Sequence, residues 1–173
     1  MHTIHHIATQ AENVDEAFRR VKDYLETQMG NDYSHTPTWY DWFVAGGGRW
    51  SSSDDPYNDN YTDDVVHSSD VKFFQNIAQA LEWRKEETDR YIKQAKEVNL
   101  IELLDTVGKD EHDFRVGHQL YSIKKVYDLT LGVWGPDSYF FDMINDTTTD
   151  KYMQESLDKG DKSWYLVPVD FHF

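Results

Sequence analysis

Cysteine is absent from the 173-residue chain. That excludes a disulfide frame, a thiolate metal centre and a thiol nucleophile, and it fits a reducing compartment. Long hydrophobic runs are absent too, since no apolar stretch approaches the roughly 20 residues that a membrane-spanning helix needs. The opening MHTIHHIATQ is too polar for a secretory signal, and neither end carries a lipidation pattern. A soluble, cytoplasmic chain with no membrane association is therefore expected. Basic residues are in short supply: 17 Lys and Arg stand against 32 Asp and Glu, for a formal net charge of -15 at pH 7.

The acidity is regional. Residues 51–70 hold six acids and no Lys or Arg, residues 137–173 hold eight acids against three lysines, and residues 71–100 are nearly balanced with five acids and six bases. Such a surface repels nucleic acid and anionic lipid, and it steers the chain toward basic partners. Direct nucleic-acid binding is not expected; a protein partner with a basic surface is. The competing reading is that the charge only keeps the chain in solution.

The length is that of one ordinary domain, and a single domain over 1–173 is expected. A short strand at 3–8 leads to a helix at 14–29. Asn13 and Glu16 there have capping-box spacing, Phe18, Val21 and Leu25 form one apolar stripe, and Gly30 is placed to end the helix. Residues 39–45, an aromatic run between Pro37 and glycines, predict a second strand. Residues 46–66 read as a long acidic loop, the kind of segment that serves as a lid or contact surface.

The longest helix is predicted at 71–98. Val71, Phe74, Ile77, Ala78, Leu81, Tyr91, Ile92 and Ala95 would form its buried face, and EWRKEETDR its solvated, charge-paired face. A short helix at 100–107 would stop at Gly108. Strands are predicted at 119–127 and 129–134, short helices at 138–145 and 150–157, and a final strand in SWYLVPVDFHF. There Tyr165, Val167, Val169 and Phe171 alternate with Trp164, Leu166, Pro168, Asp170 and His172. Pro168 cannot donate to a ladder, which predicts an edge position or a bulge. The resulting fold class is α+β, a small antiparallel or mixed sheet with helices packed mainly on one face.

The most distinctive stretch is WYDWFVAGGGRW, residues 39–50. Gly46, Gly47 and Gly48 permit a turn with positive φ and a close approach by another backbone or a ligand. Arg49 beside Trp50, with Trp39, Tyr40 and Trp42 nearby, suits a guanidinium held flat on an aromatic face as an anion or nucleotide-base site. The alternative is a sharp strand exit, with Arg49 stacked on Trp50 or paired with Asp41. GGGRW matches neither the dinucleotide fingerprint nor a Walker loop.

Other chemical motifs are weaker. An EF-hand loop started at Asp55 puts Tyr57 at its third position, Asn60 where Gly is required and Val66 where the bidentate Glu belongs. In HTIHH, His5 and His6 point to opposite faces of a strand, so no metal site is expected there. No Ser stands in a nucleophile elbow, and HTI at His2 with HTP at His35 is a poor version of the two-histidine phosphoesterase pattern. Asp170 and His172 share one face of the last strand, where they would serve as an acid and base beside Arg49 or as an ordinary hydrogen-bonded pair. No catalytic residue, cofactor or metal is assigned.

WYDWFVAGGGRW together with the terminal YLVPVDFHF resembles a group of small phage and prophage proteins that share a DWY-x-x-GGRW core and a C-terminal VD-x-H strand. The resemblance covers these two separated blocks. It picks out Asp41, Trp42, Phe43, Gly46 or Gly47, Gly48, Arg49 and Trp50, then Val169, Asp170 and His172. Phe43 stands where a Tyr is usual, and one glycine is additional. The resemblance implies a phage origin and a shared fold, and no reaction.

Three functions follow as expectations. The first is a phage-encoded accessory protein that binds and inhibits a host protein, a defence protein for instance. Asp54, Asp55, Asp59, Asp63 and Asp64 would imitate nucleic-acid charge. The second is a small-ligand or nucleotide-binding protein, or a hydrolase, that uses Asp41, Trp42, Gly47, Gly48, Arg49, Trp50, Asp170 and His172. The third is a virion or scaffold component.

Overall fold

Strand β5 (Trp164–His172) is the spine of the protein: eight of its nine residues are buried, and only His172 is partly open. The computed structural model describes residues 1–29, 39–106 and 114–173. In chain order it holds β1 (His2–Gln10), α1 (Val14–Met29), β2 (Trp42–Ala45), a 3-10 turn (Gly48–Trp50) and β3 (Val66–His67). There follow α2 (Val71–Lys96), α3 (Leu100–Thr106), α4 (Phe114–Leu131), β4 (Phe140–Asp142), α5 (Lys151–Asp158) and β5. Gly30, His35, Pro37 and Gly108 lie outside the described residues.

The five strands form one mixed sheet in the order β2-β5-β1-β4, with β3 also on β5. β1 lies antiparallel to β5 from His2↔His172 to Gln10↔Trp164, and parallel to β4. On the other side of β5, β2 pairs from Trp42↔His172 to Ala45↔Val169, and β3 pairs at Leu166 and Tyr165. The fold is α+β.

Alternation along β5 divides the core in two. Tyr165, Val167, Val169 and Phe171 join Ile7 and Phe141 beneath the Phe18, Val21 and Leu25 stripe of α1. On the opposite face Trp164 and Leu166 join Ala8 and Phe140 beneath Phe73, Ile77 and Ala80 of α2 and Met153 of α5. Burial on both faces, with strands on both sides, leaves β5 hardly any exposure. The 26 residues of α2 span roughly 39 Å at 1.5 Å per residue. Its first half covers the sheet and its second half carries α4, where Ser122 Oγ bonds Gln94 Oε1 at 3.0 Å.

Local signals explain the helix starts. Asn13 Oδ1 accepts from the Glu16 amide at 2.9 Å, and the Glu16 carboxylate accepts from the Glu12 amide at 2.7 Å. The capping box thus closes one residue earlier than its usual partner. Asp70 caps α2 by accepting from the Lys72 amide at 2.9 Å.

Several sequence expectations are corrected. Residues 119–127 and 129–134 belong largely to α4, not to two strands. Among the α4 residues whose burial is described, Ser122, Lys125 and Leu129 are buried, at helical spacing, while Leu120, Tyr121, Tyr127 and Leu131 are exposed. Apart from Leu129, these apolar residues do not mark its inner face. Residues 138–145 hold strand β4, because Phe140 and Phe141 enter opposite cores as consecutive strand residues must. The strand predicted at 39–45 begins only at Trp42. Pro168 lies in a central strand: its carbonyl accepts from the Gly46 amide at 2.9 Å, so its missing N–H falls in the gap between β2 and β3.

The inner face of α2 is also shifted in phase. Phe73 is wholly buried, whereas Phe74 is 44% exposed and Val71 is 66% exposed. Phe73→Ala is therefore expected to cost about 3–5 kcal/mol, and Phe74→Ala under about 1 kcal/mol. Urea denaturation of the two variants measures both; equal losses would contradict this assignment.

Candidate functional site

The glycine turn is built around one carboxylate. β2 ends at Ala45, and Gly46, Gly47 and Gly48 follow with φ of 91°, 95° and 51°. A Cβ on Gly46 would stand 2.2 Å from the Tyr61 carbonyl oxygen, and one on Gly48 would stand 2.5 Å from the Asp170 Cβ. The glycines thus let the 3-10 turn lie directly on β5. Asp170 is fully buried there, accepting from the Arg49 amide at 3.3 Å and meeting His2 Nδ1 at 2.9 Å.

A second histidine–carboxylate pair adjoins the first. His172 Nδ1 lies 2.6 Å from Asp41 Oδ1, and this hydrogen bond holds the Asp41 carboxyl below the usual carboxylate range. Trp42 stacks on the His172 ring at 5.0 Å and 11°. The His2 ring meets Trp42 edge-on at 5.2 Å and His172 at 4.9 Å. Asp41, Trp42, Gly48, Asp170 and His172 are therefore brought together, with Gly47 capping the 3-10 turn. The Arg49 side chain is exposed, and among the described residues it makes no hydrogen bond, ion pair or ring contact. Neither the stack on Trp50 nor the pair with Asp41 forms.

Trp50 leads to a different feature. On the α2 side of the sheet a cleft of about 690 Å³ is floored by Ile4, His6 and Pro168 and runs between Trp50 and Trp83. A smaller space of about 260 Å³ shares Ile4, Trp50 and Trp83 with it and extends to His2, Glu87 and Tyr139. One side of α2 forms the wall, because Lys72, Asn76, Trp83 and Glu87 recur at helical spacing beside the buried stripe. Asp63, Asp64 and Asp70 line one end, and Glu86 and Glu87 the other. Among the described residues five carboxylates and one lysine line the two spaces; Asp64 is held by Ser52, Asp70 caps α2 and Glu87 pairs with Arg90, which leaves Asp63 and Glu86 open.

Two details of the lining set it apart from ordinary surface. The His6 ring makes no hydrogen bond among the described residues, and its Nδ1 is buried without a partner. Burial lowers the His6 pKa to about 4, so the ring is neutral at pH 7. Tyr139, in edge contact with Trp83 at 5.7 Å, has a φ of 57°, the left-handed region that a bulky residue seldom adopts.

The five loop aspartates divide by their contacts. Asp64 accepts from the Ser52 amide at 2.6 Å and its hydroxyl at 2.8 Å, Asp55 accepts from the Tyr57 amide at 2.9 Å, and Asp59 pairs with Lys22 at 2.8 Å. Asp54 and Asp63 are exposed, with no partner among the described residues. The loop is thus an ordered scaffold held by three of its acids. Among the described residues no group of three or more His, Asp or Glu side chains converges where a metal ion would sit, and no helix is long and apolar enough to cross a membrane.

Comparison of the chain with protein-family models, with curated proteins and with solved structures found no match. The site therefore rests on its own geometry. His6, Asp70, Trp83, Glu86, Glu87 and Tyr139 were not legible as site residues. The available signal was Trp83, a large aromatic inside the charged run EWRKEETDR.

Two tests follow. Gly47→Ala meets ordinary contacts and only strains φ, at about 1–2 kcal/mol; Gly48→Ala also collides with Asp170 and is expected to cost at least twice as much by chemical denaturation. The second concerns pH. His5 is buried and neutral, accepting from Trp134 Nε1 and donating to the Pro136 carbonyl at 3.2 Å each, and its pKa is lowered to about 3. With His6 near 4 and unfolded histidines near 6.5, the unfolded chain binds more protons below about pH 6.5. Stability is full above that value and is lost toward pH 4 at about 1.4 kcal/mol per pH unit for each histidine. His6→Gln should remove its share of the slope in urea titrations at pH 7, 6 and 5; an unchanged slope would contradict the assignment.

Proposed function

We propose that this chain is an acidic binding protein that engages a protein with a basic surface, and that it acts as an inhibitor of a host protein in the phage setting its motifs imply. The observation that carries this reading is the construction of residues 51–70. The loop has no Lys or Arg, Asp55 and Asp64 hold backbone amides, Asp59 pairs with Lys22, and among the described residues Asp54 and Asp63 stand free on that frame. Charges held at fixed spacing imitate a phosphate backbone better than charges on a mobile tail, and they speed encounter with a basic patch. Direct binding to nucleic acid is disfavoured by the same charge. The host cytoplasm is the compartment this reading implies.

The alternative, a small-ligand binder or hydrolase, is favoured by one observation: two histidines, each oriented by a carboxylate, meet at 4.9 Å. A carboxylate that fixes an imidazole is the arrangement of a general base. Arg49 does not join them as an anion-binding group.

The test is retention of host proteins on the immobilised chain across a salt gradient. A basic protein should bind at low salt and elute as salt rises. Asp54→Asn with Asp63→Asn should weaken its binding about two- to five-fold per carboxylate and flatten the salt dependence, with the melting temperature unchanged. Asp59→Asn and Asp64→Asn should instead lower the melting temperature. Partner binding indifferent to Asp54 and Asp63 would overturn the reading.

A further inference from the structure

The cleft between Trp50 and Trp83 adjoins the loop surface and takes Asp63 and Asp64 from it, and its chemistry is specific. Two tryptophans stand at its sides, Trp50 being 49% exposed. Carboxylates occupy both ends, and among the described residues Lys72 is the one Lys or Arg in the lining, beside the imidazoles of His2, His6 and His67. The floor carries an imidazole with no hydrogen bond among the described residues, beside a tyrosine held at positive φ. Phosphates and carboxylates are repelled by such a lining. An apolar ligand would desolvate Asp63 and Glu86, whose carboxylates have no partner among the described residues.

A planar cation meets every requirement. Tryptophan faces attract cations, and guanidinium stacks on them as well. Carboxylates take guanidinium in paired hydrogen bonds that ammonium cannot match. A neutral imidazole adds a further hydrogen-bonding group without adding positive charge. We propose that the cleft between Trp50 and Trp83 receives the guanidinium of an arginine side chain presented by the basic protein partner. The inference rests on the proposed function and supplies its anchor: the loop steers the partner by long-range charge, and one arginine enters the cleft. Buried arginines that stack on aromatic rings are frequent energetic centres of protein interfaces. Trp50 connects the two parts, since it ends the 3-10 turn next to Ser51 and Ser52 of the acidic loop.

Calorimetric titration with the acetylated, amidated tripeptide Gly-Arg-Gly at low ionic strength tests this. The control peptide carries citrulline, the neutral counterpart of arginine. Saturable one-site binding is expected, at least about ten-fold weaker for citrulline and about five- to ten-fold weaker for Trp50→Ala and for Glu86→Gln. Both substitutions are at exposed positions, and circular dichroism checks that the fold persists. Glu26→Gln, exposed on α1 across the sheet from the cleft, should leave peptide binding within about two-fold. Citrulline matching arginine, no binding of either peptide, or full binding by Trp50→Ala would overturn the inference. If the arginine peptide fails while the host partner still depends on Asp54, which lies outside the cleft, the cleft assignment alone falls. If the peptide binds at the cleft while the partner ignores Asp54, the steering role of the loop falls and the cleft stands.

Discussion

The Asp170 carboxylate bonds His2 of β1 on one flank and the Arg49 amide of the 3-10 turn on the other, with no exposure to solvent. A carboxylate in such a place is costly unless its oxygens are paired. Both are, and the pairing ties three chain segments together. β1 is held at its first turn of pleat, and the backbone after β2 is drawn down over β5. The glycines follow from this, because nothing larger than hydrogen fits between the turn and Asp170 at Gly48. Trp50 then stands where the sheet opens toward α2, and the cleft exists because the turn holds it there.

From this clamp the electrostatic character of the molecule acquires a direction. A chain of net charge -15 repels itself at short range, and its acids are tolerable where they bond backbone amides or face water. Residues 51–70 use both solutions, with Asp55 and Asp64 turned to amides and Asp54 and Asp63 to solvent. The same loop supplies Asp63, Asp64 and Asp70 to the cleft wall. Long-range attraction and a specific pocket are thereby parts of one surface. His2 and His172, each fixed by a carboxylate, complete the neighbouring end of the sheet, and their contact with Trp42 joins β1, β2 and β5 into one aromatic block.

Much of the fold could be read from local signals, and the losses have identifiable causes. α1 was legible because its cap, stripe and amphipathicity agree, and β5 because its alternation runs for nine residues. α4 was not: its inner face offers Ser122 and Lys125 as well as Leu129 to the core while Leu120, Tyr127 and Leu131 face outward, so hydrophobicity gives no clear helical stripe. β4 was hidden because a three-residue strand that enters two cores shows no alternation. Adjacent Phe73 and Phe74 offered two phases for α2, and only the packing of Ala80 and Ile77 against the sheet chooses between them. Asp41, Trp42, Gly48, Asp170 and His172 were legible as a group and do meet. Arg49 promised an anion site, but its amide, not its guanidinium, is the part that is engaged. The cleft itself arises from α2 crossing the sheet, a tertiary event with no short sequence pattern.

Cation against anion is the sharpest division the account makes, and thermal melting in the presence of small ligands measures it directly. At equal millimolar concentrations, arginine amide should raise the melting temperature of the unmodified chain, and adenosine monophosphate should leave it unchanged. Stabilisation by the nucleotide with none by arginine amide would contradict the acidic-cleft account and return the site to Arg49 as an anion reader.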